Sequence, residues 1–208
     1  MENRTEKIRQ LAGCFEAGDL DAAEAIAREL AAADPNDAQA PYLLAQIVFK
    51  QKNPGQATKA VDLMKTALDI DPANASYNND YGVMLASLGR WSEAAGAYEM
   101  AVTLDRNNFD ARFNLALALL RIGQTERARV ELDQVLAQRP GLLDAWVLDG
   151  ELLRAEGEPP RAIEAFRKAI EGGLETPNVY ANLGLALKAL DRDAEALEAV
   201  RMAERIAG

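Results

Sequence analysis

One alanine recurs along the whole chain at an almost constant interval. It stands at Ala23, Ala60, Ala94, Ala128, Ala162 and Ala196, with one step of 37 residues followed by four steps of 34. A fixed period of this length is typical of stacked helical repeats, in which each unit buries its apolar face against its neighbours. The period therefore predicts one array of repeats whose function is recognition rather than chemistry.

A second row of mostly small residues keeps the same register. It precedes each alanine by twelve residues, or by fifteen in the second repeat, and consists of Leu11, Ala45, Gly82, Ala116, Gly150 and Gly184. Apolar residues also follow each alanine after four and seven positions, as Tyr98 and Ala101 follow Ala94, which is the spacing of one helix face. Small residues at a helix contact let the two backbones approach, and a larger residue one turn on fills the space beside it. Each repeat is therefore predicted to be an antiparallel pair of helices.

Glycine marks the turn inside most of the repeats. Five residues before the repeated alanine, four repeats carry Gly18, Gly89, Gly123 and Gly157. Glycine at this place can adopt the left-handed conformation that ends a helix. Asp191 occupies the same place in the last repeat, and Asn53-Pro54-Gly55 predicts a longer turn in the second repeat. That longer turn accounts for the single step of 37 residues.

This pattern resembles the tetratricopeptide repeat, whose unit is a helix, a turn and a second helix with Trp, Leu-Gly, Tyr, Ala, Phe, Ala and Pro at set places. The resemblance is clearest at Tyr81, Gly82, Leu85, Ala94, Tyr98 and Ala101, at Trp146, Gly150, Leu153, Ala162, Phe166 and Ala169, and at Tyr180, Leu183, Gly184, Leu187, Ala196 and Ala203. Asp149 departs from the pattern, because an apolar residue usually precedes the glycine. The resemblance implies an all-α, right-handed superhelical solenoid of about twelve helices.

The resemblance covers nearly the entire chain and divides it into six repeats within one predicted domain, residues 1–208. The approximate repeats are 4–37, 38–74, 75–108, 109–142, 143–176 and 177–208.

The chain lacks the residues on which most catalytic and metal sites depend. It contains no histidine and one cysteine, Cys14, which is predicted to face the core of the first helix pair. These counts exclude imidazole bases, Ser-His-Asp and Cys-His nucleophiles, histidine ligands and thiolate zinc clusters. We therefore predict a chain without catalytic activity, cofactor or metal.

The net charge of -10 constrains the kind of partner. Affinity for nucleic acids comes mainly from clustered lysine and arginine, so DNA and RNA are disfavoured. Acidic charge would steer a basic or neutral polypeptide to the chain, although its role could equally be to keep an alanine-rich solenoid soluble. No stretch resembles a membrane span or a secretion signal, so the sequence predicts a cytoplasmic protein, and its alanine, arginine and leucine content suggests a bacterial source.

In tetratricopeptide repeats the first helix of each unit lines the concave face, so the resemblance implies that a protein or peptide partner binds there. Polar residues that precede the packed positions of these helices are Asn79, Asp80, Asn114 and Asn182. This row resembles the asparagine ladder of protein O-linked N-acetylglucosamine transferases, where amides can pair with an extended peptide. Leu43 and Leu148 interrupt the row. The alternative is that these residues are ordinary exposed polar positions.

Charged residues are predicted near one edge of the same face. The basic members are Arg121, Arg154 and Lys188, and the acidic residues nearby are Asp110, Asp144 and Glu151. Such a mixed lining could contact both signs of charge on a ligand, or the residues could form surface salt bridges with each other.

Two further functions stay open. The chain could be the N-terminal substrate-recognition region of a larger enzyme, such as a protein glycosyltransferase, if the natural protein continues past Gly208. Alternatively, the last helix could mediate self-association, because no further helix is predicted to cover its apolar residues, which are Leu197, Val200, Met202 and Ile206.

Overall fold

The fold consists of successive α-helices, described by a computed structural model over residues 4–51 and 55–208. These residues contain twelve helices and no strand, which confirms the predicted all-α class and the predicted number of helices. The helices are α1 (Arg4–Ala17), α2 (Leu20–Ala33), α3 (Gln39–Lys50), α4 (Gln56–Ile70), α5 (Ala75–Ser87), α6 (Trp91–Leu104), α7 (Phe109–Arg121), α8 (Thr125–Gln138), α9 (Leu143–Ala155), α10 (Pro159–Glu171), α11 (Pro177–Lys188) and α12 (Asp193–Ala207). No helix within the described ranges is long and apolar enough to cross a membrane.

Left-handed residues end the first helix of the repeats where the sequence predicts them. The φ angle is 80° at Gly18, 72° at Gly89, 77° at Gly123 and 80° at Gly157. Asp191 adopts a φ of 56° at the equivalent place, which confirms that an aspartate replaces the glycine there. Gly55 also has a positive φ, whereas Asn53 and Pro54 of the predicted longer turn lie outside the described residues.

The helices form two compact units, Met1–Ala111 and Arg112–Gly208, whose boundary falls within α7. In unit 1, α1 packs on α2, α3 on α4 and α5 on α6, while α2 also contacts α3 and α4 contacts α5. In unit 2, α9 packs on α10 and α11 on α12, while α8 contacts α9 and α10 contacts α11. Within the units, α2, α4 and α10 thus each join their own partner helix to the first helix of the next repeat. The single domain over residues 1–208 stays a prediction.

The two predicted rows of small residues lie at the centre of these helix contacts. All twelve are buried, namely Leu11, Ala23, Ala45, Ala60, Gly82, Ala94, Ala116, Ala128, Gly150, Ala162, Gly184 and Ala196. A Cβ atom on Gly82 would lie 2.5 Å from the ring of Tyr98, and a Cβ atom on Gly150 would lie 2.5 Å from the ring of Phe166. The aromatic ring therefore occupies the space that a side chain would need, which confirms the predicted register.

The structure explains why Asp149 departs from the repeat pattern. Asp149 is buried, and its carboxylate accepts a hydrogen bond from Arg129 on α8, whose guanidinium also donates to Glu156 at 3.2 and 2.8 Å. An ion pair between neighbouring repeats thus replaces the usual apolar contact. Cys14, which is predicted to face the core, is half-buried.

Candidate protein-binding groove

The first helices of unit 1 enclose an apolar groove with a volume of about 580 Å³. Phe15 of α1, Phe49 of α3, and Val83 and Met84 of α5 line it. We call this surface the unit 1 groove. Val83 is exposed and both phenylalanines are half-buried, so water reaches a substantial part of this apolar surface.

The register of the first helices explains why these side chains reach the groove. Phe15 and Phe49 each stand four residues after the small packing residue of their helix. Across the six repeats this position reads Phe15, Phe49, Ala86, Leu120, Arg154 and Lys188. Residues four positions apart lie on one side of a helix, so the row flanks the packed stripe in every repeat. It carries aromatic residues in the first two repeats and basic residues in the last two.

Asp80 lies at the edge of the unit 1 groove within a hydrogen-bond network. The Tyr42 hydroxyl donates to its Oδ2 at 3.0 Å, the Gln46 amide donates to the same oxygen at 2.6 Å, and the Asn79 amide donates to Oδ1 at 3.2 Å. The ring of Tyr42 stacks on Tyr77 with 4.3 Å between the ring centroids. Burial and the charge of Asp80 raise the pKa of Tyr42, so its hydroxyl remains a donor at neutral pH. Asn79 and Asp80, which are adjacent in the sequence, thus belong to a network that links α3 to α5.

A second network joins three first helices of unit 2 through Glu151. Asn182 is buried, and its amide donates to Glu151 Oε1 at 3.3 Å and to Asn178 Oδ1 at 3.2 Å. The guanidinium of Arg121 lies 3.8 Å from the other oxygen of Glu151. Two of the predicted site residues, Arg121 and Asn182, thus contact one carboxylate from opposite sides, which makes Glu151 central to this face.

The other predicted site residues are more dispersed. Asn114 is half-buried on α7, and Asp110, Asp144 and Arg154 are exposed. Asp144 borders a small cavity of about 130 Å³ together with Arg121, Leu148 and Glu151. Lys188 borders a different groove, between α11 and α12. Within unit 2, Arg121 and Asp144 thus border one cavity and Lys188 borders another.

Sequence reasoning missed Phe15, Phe49 and Tyr42, which shape the unit 1 groove and its edge. A signal for the phenylalanines was present, because they occupy the same register as the predicted Arg154 and Lys188. No repeated spacing identifies Tyr42, whose role depends on a contact with Asp80 on another helix.

Two family models described as "Tetratricopeptide repeat" match residues 85–146 and 147–208. Together they span more than half of the chain, which belongs to the tetratricopeptide repeat family. A third model, described as "Anaphase-promoting complex, cyclosome, subunit 3", matches residues 16–101.

The chain is similar to parts of longer known proteins. Protein O-mannosyl-transferase TMTC1 of Homo sapiens is 25% identical over 129 residues, which cover 62% of this chain and 14% of that protein. Cellulose synthase operon protein C of Pseudomonas fluorescens (strain SBW25) is 33% identical over 142 residues, which cover 65% of this chain and 11% of that protein. The chain thus spans less than a fifth of the length of either relative. The crystal structure of PilW, a widely conserved type IV pilus biogenesis factor, has a TM-score of 0.80 and 22% identity, covers 95% of this chain and 91% of its own, and shows the shared fold.

Proposed function

We propose that this chain is a noncatalytic interaction module that binds a polypeptide segment in the unit 1 groove. The observation that carries the proposal is the clustering of Phe15, Phe49, Val83 and Met84, from three successive first helices, around one groove. Large apolar side chains in a concave surface supply much of the binding free energy in protein interfaces. A polypeptide that inserts apolar side chains there would release the water that covers them.

The polar groups at the groove favour a ligand held by its side chains rather than by its backbone. An extended peptide needs donors and acceptors for its own N–H and C=O groups. Asp80 already accepts hydrogen bonds from Tyr42, Gln46 and Asn79. The apolar residues would therefore anchor the ligand, while Asn79 and Asp80 border it. The charged groups at the groove itself are Asp80 and Lys50, whose ammonium lies 4.0 Å from the centroid of the Phe15 ring, so both signs of charge border the apolar anchors.

Unit 2 offers a second set of proposed polypeptide contacts, which differ in chemistry. They are Asn114, Asn182, Arg121, Arg154, Lys188 and Asp144, with Asp110 preceding them on α7. Glu151 would take part as the residue that contacts both Arg121 and Asn182.

A selected peptide and two matched valine substitutions test this proposal. Peptides displayed on phage are selected against the purified chain, and the affinity of a selected peptide is then measured by calorimetry. We expect Val83→Glu to weaken binding by at least about tenfold, because a carboxylate would have to be buried against the apolar anchor. Val130→Glu is the control, since Val130 is an exposed valine on the second helix α8.

Both variants must be folded for the comparison. Thermal unfolding followed by circular dichroism establishes this. Failure to select any peptide that the wild-type chain binds would overturn the proposal. Equal affinities of the wild type and Val83→Glu would overturn it as well.

As an alternative, we propose that the same groove serves as the substrate-recognition region of a larger enzyme. This reading is favoured by one relative, whose name describes an O-mannosyl-transferase and of which this chain matches 14%. The length of the natural reading frame tests it, because a stop codon directly after the codon for Gly208 would exclude an enzyme that continues there.

A further inference from the structure

A smaller apolar pocket adjoins the unit 1 groove on the side of α1. It has a volume of about 140 Å³ and lies between α1 and α3, where Ile8, Ala12 and Leu43 line it. Phe15 and Gln46 border both this pocket and the unit 1 groove, so one ligand can reach the two at once. We call the smaller one the small pocket.

The repeat register shows that the small pocket and the unit 1 groove are equivalent sites in successive repeats. On α3, the residues two positions before, one after and two after the packing residue Ala45 line the small pocket, and they are Leu43, Gln46 and Ile47. The residues at the same three places around Gly82 of α5 line the unit 1 groove, and they are Asp80, Val83 and Met84. The two sites therefore lie one repeat apart, which is about 10 Å, the usual distance between the axes of neighbouring packed helices.

A ligand that fills both sites needs two apolar side chains about 10 Å apart on one of its sides. In an α-helix, residues seven positions apart are separated by about 10.5 Å and lie on the same side. In an extended strand, about 10 Å corresponds to three residues, and side chains three positions apart point to opposite faces. A polyproline II helix repeats after about 9 Å, so the spacing admits it together with the α-helix.

The polar side chains at the unit 1 groove distinguish between these two ligands, because they already bond within the chain. The Gln46 amide donates to the Tyr42 hydroxyl at 2.7 Å and to Asp80 at 2.6 Å. The Ser87 hydroxyl donates to the carbonyl oxygen of Met84 at 2.6 Å. A polyproline II backbone has no internal hydrogen bonds, so its carbonyl groups would lose water at the groove without gaining these donors, which is costly. An α-helix satisfies its own backbone groups, so the groove favours it.

Opposite charges on the two rims of the unit 1 groove define the flanks of such a helix. Asp80 stands two residues before Gly82, whereas Lys50 stands five residues after Ala45, so the two charges lie towards opposite ends of the first helices. The three donors to Asp80 are uncharged and do not neutralise it. Lys50 is exposed. A helix that crosses the first helices is therefore complementary when it carries a basic residue on one flank of its apolar stripe and an acidic residue on the other.

We propose that the unit 1 groove binds an amphipathic α-helix of another polypeptide, which lies across α1, α3 and α5. One apolar side chain of this helix enters the unit 1 groove, and a second, seven residues away, enters the small pocket. A basic residue faces Asp80 and an acidic residue faces Lys50. This inference rests on the proposed function, since it specifies the conformation and chemistry of the polypeptide proposed to bind there.

Two modifications of a peptide selected against the chain test the conformation of the ligand. Proline replaces alanine at a position between the anchors where alanine itself leaves the affinity unchanged. We expect proline to weaken binding by at least about tenfold, because it interrupts a helix. A lactam link between a lysine and a glutamate four positions apart, on the side away from the anchors, should strengthen binding by at least about threefold over the unlinked peptide, because it holds the helix in its bound form.

A substitution in the chain tests the small pocket. Ala12 is exposed on α1, and Ala12→Arg places a guanidinium in the small pocket. It should weaken binding of the selected peptide by at least about fivefold, because an apolar anchor is displaced. Ala17→Arg is the matched control, since Ala17 is also exposed on α1, and it should change the affinity by less than about twofold. Thermal unfolding verifies that both variants are folded.

These outcomes separate the helix from the proposed function. A selected peptide that tolerates proline between its anchors, or that the lactam link prevents from binding, would overturn the helix and leave polypeptide binding in place. Equal affinities of Ala12→Arg and Ala17→Arg for the peptide would overturn the use of both pockets. A chain to which no peptide binds would overturn the proposed function and this inference together.

Discussion

The first helices of the two units share their packing but differ in the chemistry of the side chains beside it. Four residues after the packing position, unit 1 carries Phe15 and Phe49, whereas Arg154 and Lys188 hold the same place in unit 2. The buried rows do not change in this way, since Gly82 meets the ring of Tyr98 in unit 1 as Gly150 meets the ring of Phe166 in unit 2. The comparison shows that the repeat fixes where a side chain lies and leaves its chemistry free to vary.

The polar links between repeats show the reverse, because the same chemistry occurs at different positions. In unit 1 the buried group is a carboxylate, Glu24 of α2, which contacts Gln51 and Lys59. In unit 2 a buried carboxylate, Asp149, meets Arg129 from the preceding helix. Both links tie successive repeats together, although the residues come from different positions.

The largest expected effect comes from breaking the packing that the two units share. Gly82→Ala and Gly150→Ala should each lower the free energy of unfolding by about 1 to 3 kcal/mol, because the new Cβ atom overlaps a buried aromatic ring. Urea unfolding followed by circular dichroism measures this change.

Gly184→Ala is the matched control for these substitutions. Its Cβ atom would lie 3.4 Å from the nearest atoms, which is an ordinary contact. It should be neutral or should stabilise the helix by up to about 1 kcal/mol, since alanine favours a helix more than glycine does. Equal losses at Gly150 and Gly184 would show that the aromatic rings do not set the cost.

The buried rows were predictable because packing leaves few choices. A close helix crossing favours glycine or alanine over larger side chains, so the constraint reappears in every repeat except at Leu11 and becomes visible as a period. The left-handed turns were predictable for the same reason, and even Asp191 was identified from its place.

The groove was less predictable because exposed positions carry no such constraint. Phe49 is one apolar residue among many in α3, and its role appears only when α1, α3 and α5 are seen side by side. For the polar row of Asn79, Asp80, Asn114 and Asn182, the positions could be read from the sequence but the contacts could not. Asp80 and Asn182 occupy the predicted positions, but their hydrogen bonds to Tyr42 and Glu151 depend on side-chain lengths in neighbouring helices, which have no period.

A smaller effect should show whether the surface of unit 1 or the surface of unit 2 binds the peptide. Phe49→Ala should weaken the binding of a peptide selected against the chain by about tenfold, because a buried aromatic anchor is lost. Arg154→Ala removes the side chain at the same register in unit 2 and should change the affinity by less than about threefold. Calorimetry with folded variants measures both. If Arg154→Ala had the larger effect, the binding surface would lie in unit 2.

The smallest expected effect concerns acid stability and the Glu24 link of unit 1. Burial raises the pKa of Glu24, but the hydrogen bond from Gln51 and the positive charges of Arg28 and Lys59 more than offset it, so the pKa is lowered from 4.5. A carboxylate whose folded pKa is depressed stabilises the fold above its unfolded pKa, and that contribution is lost as the pH falls through the folded pKa.

Glu24→Gln should therefore cost up to about 1 kcal/mol near pH 7 and less near pH 3, because the contribution of the carboxylate declines as the pH falls below the unfolded pKa of 4.5. Fluorescence of Trp91 in a Trp146→Phe background reports on unit 1 during urea unfolding at both pH values. Glu16→Gln, which alters an exposed carboxylate on α1, is the control for a general change in net charge. A difference between Glu24→Gln and the wild type that stayed the same at both pH values would mean that the side-chain shape, and not the charge of Glu24, holds α2 to its neighbours.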